Sequence, residues 1–300
     1  MSAIKSPRHL ALLGLIGVAF GYAVLGMNSR LLNIGFAPAT QVYVRVLLGF
    51  LLSLVFFRKQ LRLKVMKQIS KKDVIWLLVM GGLGYAGAVL LATQAVLNTK
   101  LLNTSVIGST LPFVVFAYSL LVLKAKFQPK LFLNLLVAVY GVIVVSTKSY
   151  FPLVTNFGIG ELFALLSVLC LGWWSVGRKM LSSKLNNAEI TVITMLVAGV
   201  TSLAVALFFH EPLPLASFTL PSILIGLAIG AGLNLLLTFL ENFSFNIIDV
   251  VLGNQILMTS TVFSLLGGIF IFHESISLPE LIGGLIIVVT VWQANILVKI

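Results

Sequence analysis

Charge is scarce in this chain. Of 300 residues, 9% are Asp, Glu, Lys or Arg, and only eight are acidic. Soluble domains carry about a quarter of their residues as charges, so an ordinary soluble fold is excluded. Cysteine is nearly absent as well. The single Cys170 lies in an apolar run, has no disulfide partner and reports nothing about redox compartment. Histidine is limited to His9, His210 and His273, whose separation gives no metal cluster, and neither His-Glu-x-x-His nor Gly-x-Ser-x-Gly occurs. The sequence therefore offers no support for an enzyme, a metal site or a cofactor.

Hydrophobic length is what remains. Apolar residues make up 59% of the chain, and the mean hydropathy is +1.12. A bilayer core needs roughly 20 apolar helical residues to cross, and a helix satisfies its own backbone in lipid. Ten spans are expected, at 10–29, 38–57, 74–97, 103–123, 131–147, 158–180, 188–209, 219–242, 247–271 and 279–298. The fold class is thus an all-α membrane protein. Lys5, Arg8 and His9 precede the first span, but no small-residue cleavage site closes it, so it reads as a retained helix rather than a signal peptide.

A net charge of +12 would suggest nucleic acid in a soluble protein. The positions of the charges argue for orientation instead. With ten spans and an inner N-terminus, sixteen Lys/Arg fall on the inner side, seven of them between Arg58 and Lys72. Arg30, Lys100 and Lys148 fall outside, and Arg45 lies within a span. This is the positive-inside pattern. It places both termini in the cytoplasm and the chain in a cell (inner) membrane, with the lipid bilayer as its surroundings and no nucleic acid as partner. The connection from Glu241 to Asp249 is expected to be acidic and without Lys/Arg.

An internal repeat sets Leu90–Leu97 against Leu237–Ser244, pairing Gln94 with Glu241, and Thr110–Leu123 against Thr259–Phe272. The offset is about half the chain. Five spans per half is odd, so the halves must enter the membrane oppositely. Two inverted five-helix repeats, residues 1–149 and 150–300, are expected, and such repeats form secondary transporters with a midplane site.

In this setting several segments look familiar in order: Pro38 followed by Arg45 early in the second span, Pro112 within the fourth, and Gly160-Glu161-Leu162 opening the sixth. Trp173 and Trp174 follow on that helix, and Phe272-His273-Glu274 ends the ninth. The chain resembles the drug/metabolite transporter superfamily, specifically its EamA type. It departs at Ala125, opposite Glu274, and near Thr261, where a proline is usual. The resemblance implies a carrier of small metabolites, often an exporter of amino acids or related compounds.

Ionisable groups inside a membrane are costly and so are candidates for function. Arg45 reads as an anion contact or as a brace to neighbouring carbonyls. Glu241 follows an almost wholly apolar run and reads as a proton-carrying carboxylate or as a solvated helix end. Tyr22, Tyr85, Trp173, Trp174, Asn234, Asn254 and Gln255 supply aromatic and neutral polar groups at middle depth, the usual chemistry of a ligand pocket. Tyr22 and Trp173, from corresponding helices of the two halves, are the aromatic pair expected to face the site. Asn254 and Gln255 point about 100° apart on a helix, so one of them faces any given cavity. Gly82-Leu83-Gly84-Tyr85-Ala86-Gly87 matches the dinucleotide GxGxxG pattern, but it lies inside one apolar span without a preceding strand, and reads as helix packing.

The function expected is secondary transport of a small polar or amphipathic metabolite, amino-acid-like and exported, by alternating access. A nucleotide-sugar or organic-phosphate exchanger, or a lipid-handling membrane protein, are the alternatives. The former needs several cations meeting in the cavity. A homodimer is compatible with such a chain.

Overall fold

The computed structural model describes residues 7–33, 35–99, 101–150, 158–212, 220–272 and 275–298. These are helical, with no strand among them. The elements are α1 (Pro7–Leu32), α2 (Pro38–Phe56), α3 (Leu63–Lys67), α4 (Lys71–Leu78), a π-helical segment (Val79–Gly87), α5 (Ala88–Asn98), α6 (Leu101–Gly108) and α7 (Leu111–Leu121). The second half holds α8 (Pro129–Thr147), α9 (Ile159–Met180), α10 (Asn187–Phe208), α11 (Pro221–Ile247), α12 (Val250–Leu257), α13 (Thr259–Phe272) and α14 (Leu278–Leu297).

Among the described residues, eight helices are long and apolar enough to cross a bilayer, counting Lys71–Asn98 as one; two shorter apolar stretches, Val106–Leu121 and Val250–Phe263, stand where the fourth and ninth spans were expected. Each of those spans is broken rather than continuous. Pro112 has no N–H to give to the preceding turn, and the hydroxyls of Ser109 and Thr110 donate to the carbonyls of Val106 and Ile107, both at 2.6 Å. The second break, at Met258, has no proline. There the Thr259 hydroxyl donates to the Ile256 carbonyl at 2.7 Å, and the Thr261 amide reaches back three residues to Met258. The third span contains the other departure. Its glycine-rich centre winds as a π-helix of nine residues, and π segments often occur at functional sites. The GxGxxG match lies wholly inside this helix, which bears out the packing reading. Gly84 is the clearest reason for glycine there, since a Cβ on it would lie 3.0 Å from the Trp174 backbone nitrogen.

Helix α11 runs five residues beyond the span expected to end at 242, so the supposed acidic connection from Glu241 shrinks to Ile248 and Asp249. Glu241 is inside the helix. The Phe272-His273-Glu274 motif ends at His273 and Glu274, which lie outside the described residues.

Helix pairing follows the repeat. Helix α1 packs on α11, and its counterpart α9 packs on α5 and the π segment, which correspond to α11 in the first half. The pairs α2–α10 and α8–α14 each join equivalent helices of the two halves. Exchanging the halves therefore maps one set of contacts onto the other.

Acidic residues cluster at helix ends. The Glu211 carboxylate accepts from the amides of Ala39 and Thr40 at the start of α2. Glu161 accepts from the Thr99 hydroxyl, from Asn103, and from the Gly158 amide at 2.8 Å. Lys148 pairs with Glu280 at 3.1 Å. At the opposite end, Arg62 pairs with Glu189 at 2.8 Å, a bond that raises the Arg62 pKa. Asp73 accepts from Ser182 there, and Arg8 reaches Asn295 at 3.1 Å, which puts the start of α1 beside the end of α14. Large apolar side chains such as Phe56, Phe208 and Phe270 stand exposed around the bundle, as lipid contact requires.

Candidate functional site

Residues Gly230, Asn234 and Glu241 occupy one face of α11 because they recur at intervals of four and seven. That face meets helices of both repeats. Glu241 is 1% exposed. Its Oε1 accepts from the Tyr22 hydroxyl on α1 at 2.6 Å, and its Oε2 accepts from the Trp174 indole Nε1 on α9 at 2.9 Å. Both donors are neutral. The ion pairs found among the described residues are Arg62–Glu189 and Lys148–Glu280, so this carboxylate is buried without a cation.

About two turns away, the Tyr85 hydroxyl donates to Asn234 Oδ1 at 2.7 Å, and Asn234 Nδ2 donates to the Gly230 carbonyl at 2.6 Å. The Tyr85 and Trp174 rings meet edge to face, 5.2 Å apart. The π segment and α9 thus join the two clusters. Farther along α11 sits Arg45, 2% exposed. Its guanidinium Nη1 donates to the Ser29 hydroxyl at 2.6 Å, while its Nε has no partner. Asn28 Nδ2 is likewise unpartnered, and a Cβ on Gly230 would lie 2.7 Å from that nitrogen and 3.5 Å from Arg45 Cδ. A side chain at position 230 would have to push the Asn28 amide aside. The interior therefore has an acidic end at Glu241 and a basic end at Arg45, separated by eleven residues of α11, roughly 16 Å along the axis.

A protein-family model, that of the EamA-like transporter family, matches the chain twice, over residues 9–147 and 158–296. The chain belongs to the EamA-like transporter family. It is accordingly a multi-pass integral membrane protein with a two-repeat architecture, and its family are transporters rather than enzymes. A solved structure, titled "Crystal structure of protein", is similar to this EamA-like chain with a TM-score of 0.76 at 17% identity, covering 99% of both chains. That likeness is one of fold. No curated protein matches the chain significantly.

The site residues expected from the sequence of this EamA-like protein divide in three. Tyr22, Tyr85, Trp174, Asn234 and Glu241 form a connected cluster, with Arg45 on the same face of α11. Trp173 turns away from it and stacks between Tyr118, at 5.0 Å, and Trp76, at 6.0 Å. Asn254 and Gln255 diverge as adjacent helical residues must. Asn254 Oδ1 accepts from the Ser175 hydroxyl at 3.2 Å, beside Trp174, whereas Gln255 reaches Asn134 on α8 and the Thr290 carbonyl on α14. Ser29, Asn28 and Asn134 were not singled out beforehand. Ser29 and Asn28 follow the apolar run of α1 with no motif to mark them, and only the spacing of Gly230, Asn234 and Glu241 signals the face they join.

Proposed function

We propose that this protein is a secondary transporter of a small amino-acid-like zwitterion, exporting it by alternating access between two inverted five-helix bundles, residues 1–149 and 150–300. The reading rests on one observation above all: a buried carboxylate, Glu241, held only by neutral donors from both repeats. Isolated charge in a low-dielectric interior is costly, and a solute ammonium or a proton would relieve it. Tyr22 and Trp174 turn their polar edges to the carboxylate, and Tyr85 packs edge to face on Trp174 beside them. Arg45, with an unpartnered Nε, suits a carboxylate; roughly 16 Å from Glu241 along α11, it holds the solute at a separate position rather than together with that carboxylate.

Every hydrogen bond from Tyr22 and Tyr85 to α11 crosses from one repeat to the other. Rocking of the bundles must break such bonds, so solute binding and the exchange of access are linked. Proton exchange at Glu241 supplies a coupling route. The end of the bundle that carries the Arg58–Lys72 segment faces the cytoplasm by the positive-inside rule, with both termini there. Export follows from the family resemblance.

The decisive experiment is counterflow in proteoliposomes with amino acids, purines, sugars and phosphorylated metabolites, with and without a proton gradient. Exchange of amino acids, lost in Glu241→Gln only when the gradient is the driving force, supports the reading. Preferential exchange of phosphorylated metabolites would replace it with the organic-phosphate one.

A further inference from the structure

Helices α8 and α14 lie on the far side of the bundle from Glu241 in the contact pattern, and their cleft plays no part in the transport reading. They run antiparallel, since Lys148 at the end of α8 meets Glu280 at the start of α14, and Asn134 near the start of α8 meets Gln293 near the end of α14. Their backbones touch at one crossing. A Cβ on Gly283 would lie 2.6 Å from the Gly141 carbonyl oxygen. Toward the other end, where longer side chains keep them apart, an open cleft of about 410 Å³ lies between the two helices.

Three features give that cleft a chemistry. Leu133, Val137 and Ile296 line it and are exposed at its edges, so one side of it meets lipid. Gln293 also lines it and is exposed, and its Nε2 donates to nothing among the described residues. An amide donor left open on a lipid-facing surface is costly, whereas its Oε1 is already taken by Asn134 at 3.0 Å. Lys130 stands at the mouth, with Lys124 and Lys126 in the preceding connection, and no Asp or Glu occurs in the sequence between Asp73 and Glu161. The field at the mouth is that of unopposed lysines on this stretch. The wall is also held in place, because Asn134 accepts from Gln255 as it donates to Gln293.

We infer that this cleft is a binding site for an anionic phospholipid. Lys130 meets the phosphate, Gln293 Nε2 donates to an ester carbonyl of the glycerol backbone, and the first methylenes lie on Leu133, Val137 and Ile296. The exposed Trp292 beside Gln293 belongs at the same interfacial depth, where tryptophan is enriched.

The test uses the purified full-length protein in detergent, with native mass spectrometry and thermal unfolding read in parallel. Phosphatidylglycerol should be retained and should raise Tm, while phosphatidylcholine with the same acyl chains and soluble glycerol 3-phosphate should do neither. Lys130→Gln should weaken phosphatidylglycerol binding about fivefold, the worth of one basic contact at a membrane surface. Gln293→Leu should likewise weaken phosphatidylglycerol binding, through the lost ester contact, and Lys64→Gln, an exposed lysine on α3, should leave that binding unchanged. Equal retention of both lipids, or equal weakening by Lys130→Gln and Lys64→Gln, would overturn the assignment. So would a protein dimer that Gln293→Leu dissociates, since a second copy would then be what fills the cleft. Because Lys130 is exposed, its variant remains informative even if Gln293→Leu fails to fold.

Discussion

Trp174 and Glu241 are joined at 2.9 Å across 67 residues of sequence, and Tyr22 closes the other oxygen of the same carboxylate from 219 residues away. One side chain thus fastens α1, α9 and α11 together. Such a junction is stable only while each donor keeps its acceptor, because an unsatisfied buried donor costs about 1–3 kcal/mol.

That cost separates two substitutions of Glu241. Glu241→Gln keeps an acceptor and similar volume, and should fold with little change in Tm while losing the response of transport to a proton gradient. Glu241→Ala strands both the Tyr22 hydroxyl and the Trp174 indole, and should destabilise by about 2–5 kcal/mol. Thermal unfolding in detergent, paired with flux measured at imposed pH differences, reads both effects. An undiminished gradient response in Glu241→Gln would remove the carboxylate from proton coupling.

Arg45 offers a second division. Arg45→Gln keeps a polar side chain, two bonds shorter than arginine, and removes the cation. Binding of an amino acid should weaken roughly tenfold or more, the order expected for one charged hydrogen bond, while a decarboxylated amine analogue should bind unchanged. Loss of both ligands alike would identify Arg45 as the brace between α1 and α2 rather than a carboxylate contact. Competition binding with the two ligands makes the comparison directly.

Gly84 fixes how closely the π segment approaches α9. A methyl group at that position would press on the backbone of Trp174, with contacts of 3.0 and 3.1 Å to its nitrogen and Cα. Backbone cannot rotate aside as a side chain can. Gly84→Ala should therefore cost about 1–3 kcal/mol and displace Tyr85 from Asn234. Gly26→Ala is the matching control, since nothing lies within 4 Å of a Cβ there. Equal melting temperatures for the two variants would show that the π segment yields.

Much of this arrangement was readable from the sequence, for reasons that also mark where reading stops. Apolar length and the positions of lysine and arginine report on the membrane, an environment every span shares, so apolar segments mark where spans lie, and paired segments such as Leu90–Leu97 and Leu237–Ser244 mark the repeat. Glu241 stood out because charge is rare in apolar runs. What defeated the sequence was local backbone chemistry: nine residues winding as a π-helix, and two spans broken at Ser109–Thr110 and Met258. Hydropathy is blind to winding, and hydroxyl side chains that take over backbone carbonyls look like any other Ser or Thr. The face of a helix is similarly hidden where every neighbour is apolar, which is why the sequence pairs Tyr22 with Trp173, whereas in the structure Trp174 is the one that shares the Glu241 carboxylate with Tyr22.

Those two tryptophans yield the sharpest comparison. They are consecutive on α9, nearly equal in hydrophobicity, and turned about 100° from one another. Trp174 is 1% exposed and donates to Glu241; Trp173 is partly exposed and makes ring contacts with Tyr118 and Trp76. Replacing either with phenylalanine removes an indole N–H and some area, so a general packing loss would appear in both. Trp174→Phe alone deletes a donor to the buried carboxylate. Its transport should fall at least about tenfold, with a changed dependence on the proton gradient, while Trp173→Phe should retain most of its flux and lose about 1 kcal/mol of stability from ring contacts. Flux in proteoliposomes at matched protein content distinguishes them. If Trp173→Phe were the one to lose transport, the solute path would run past Tyr118 and Trp76, and the Glu241 cluster would be a clamp between helices.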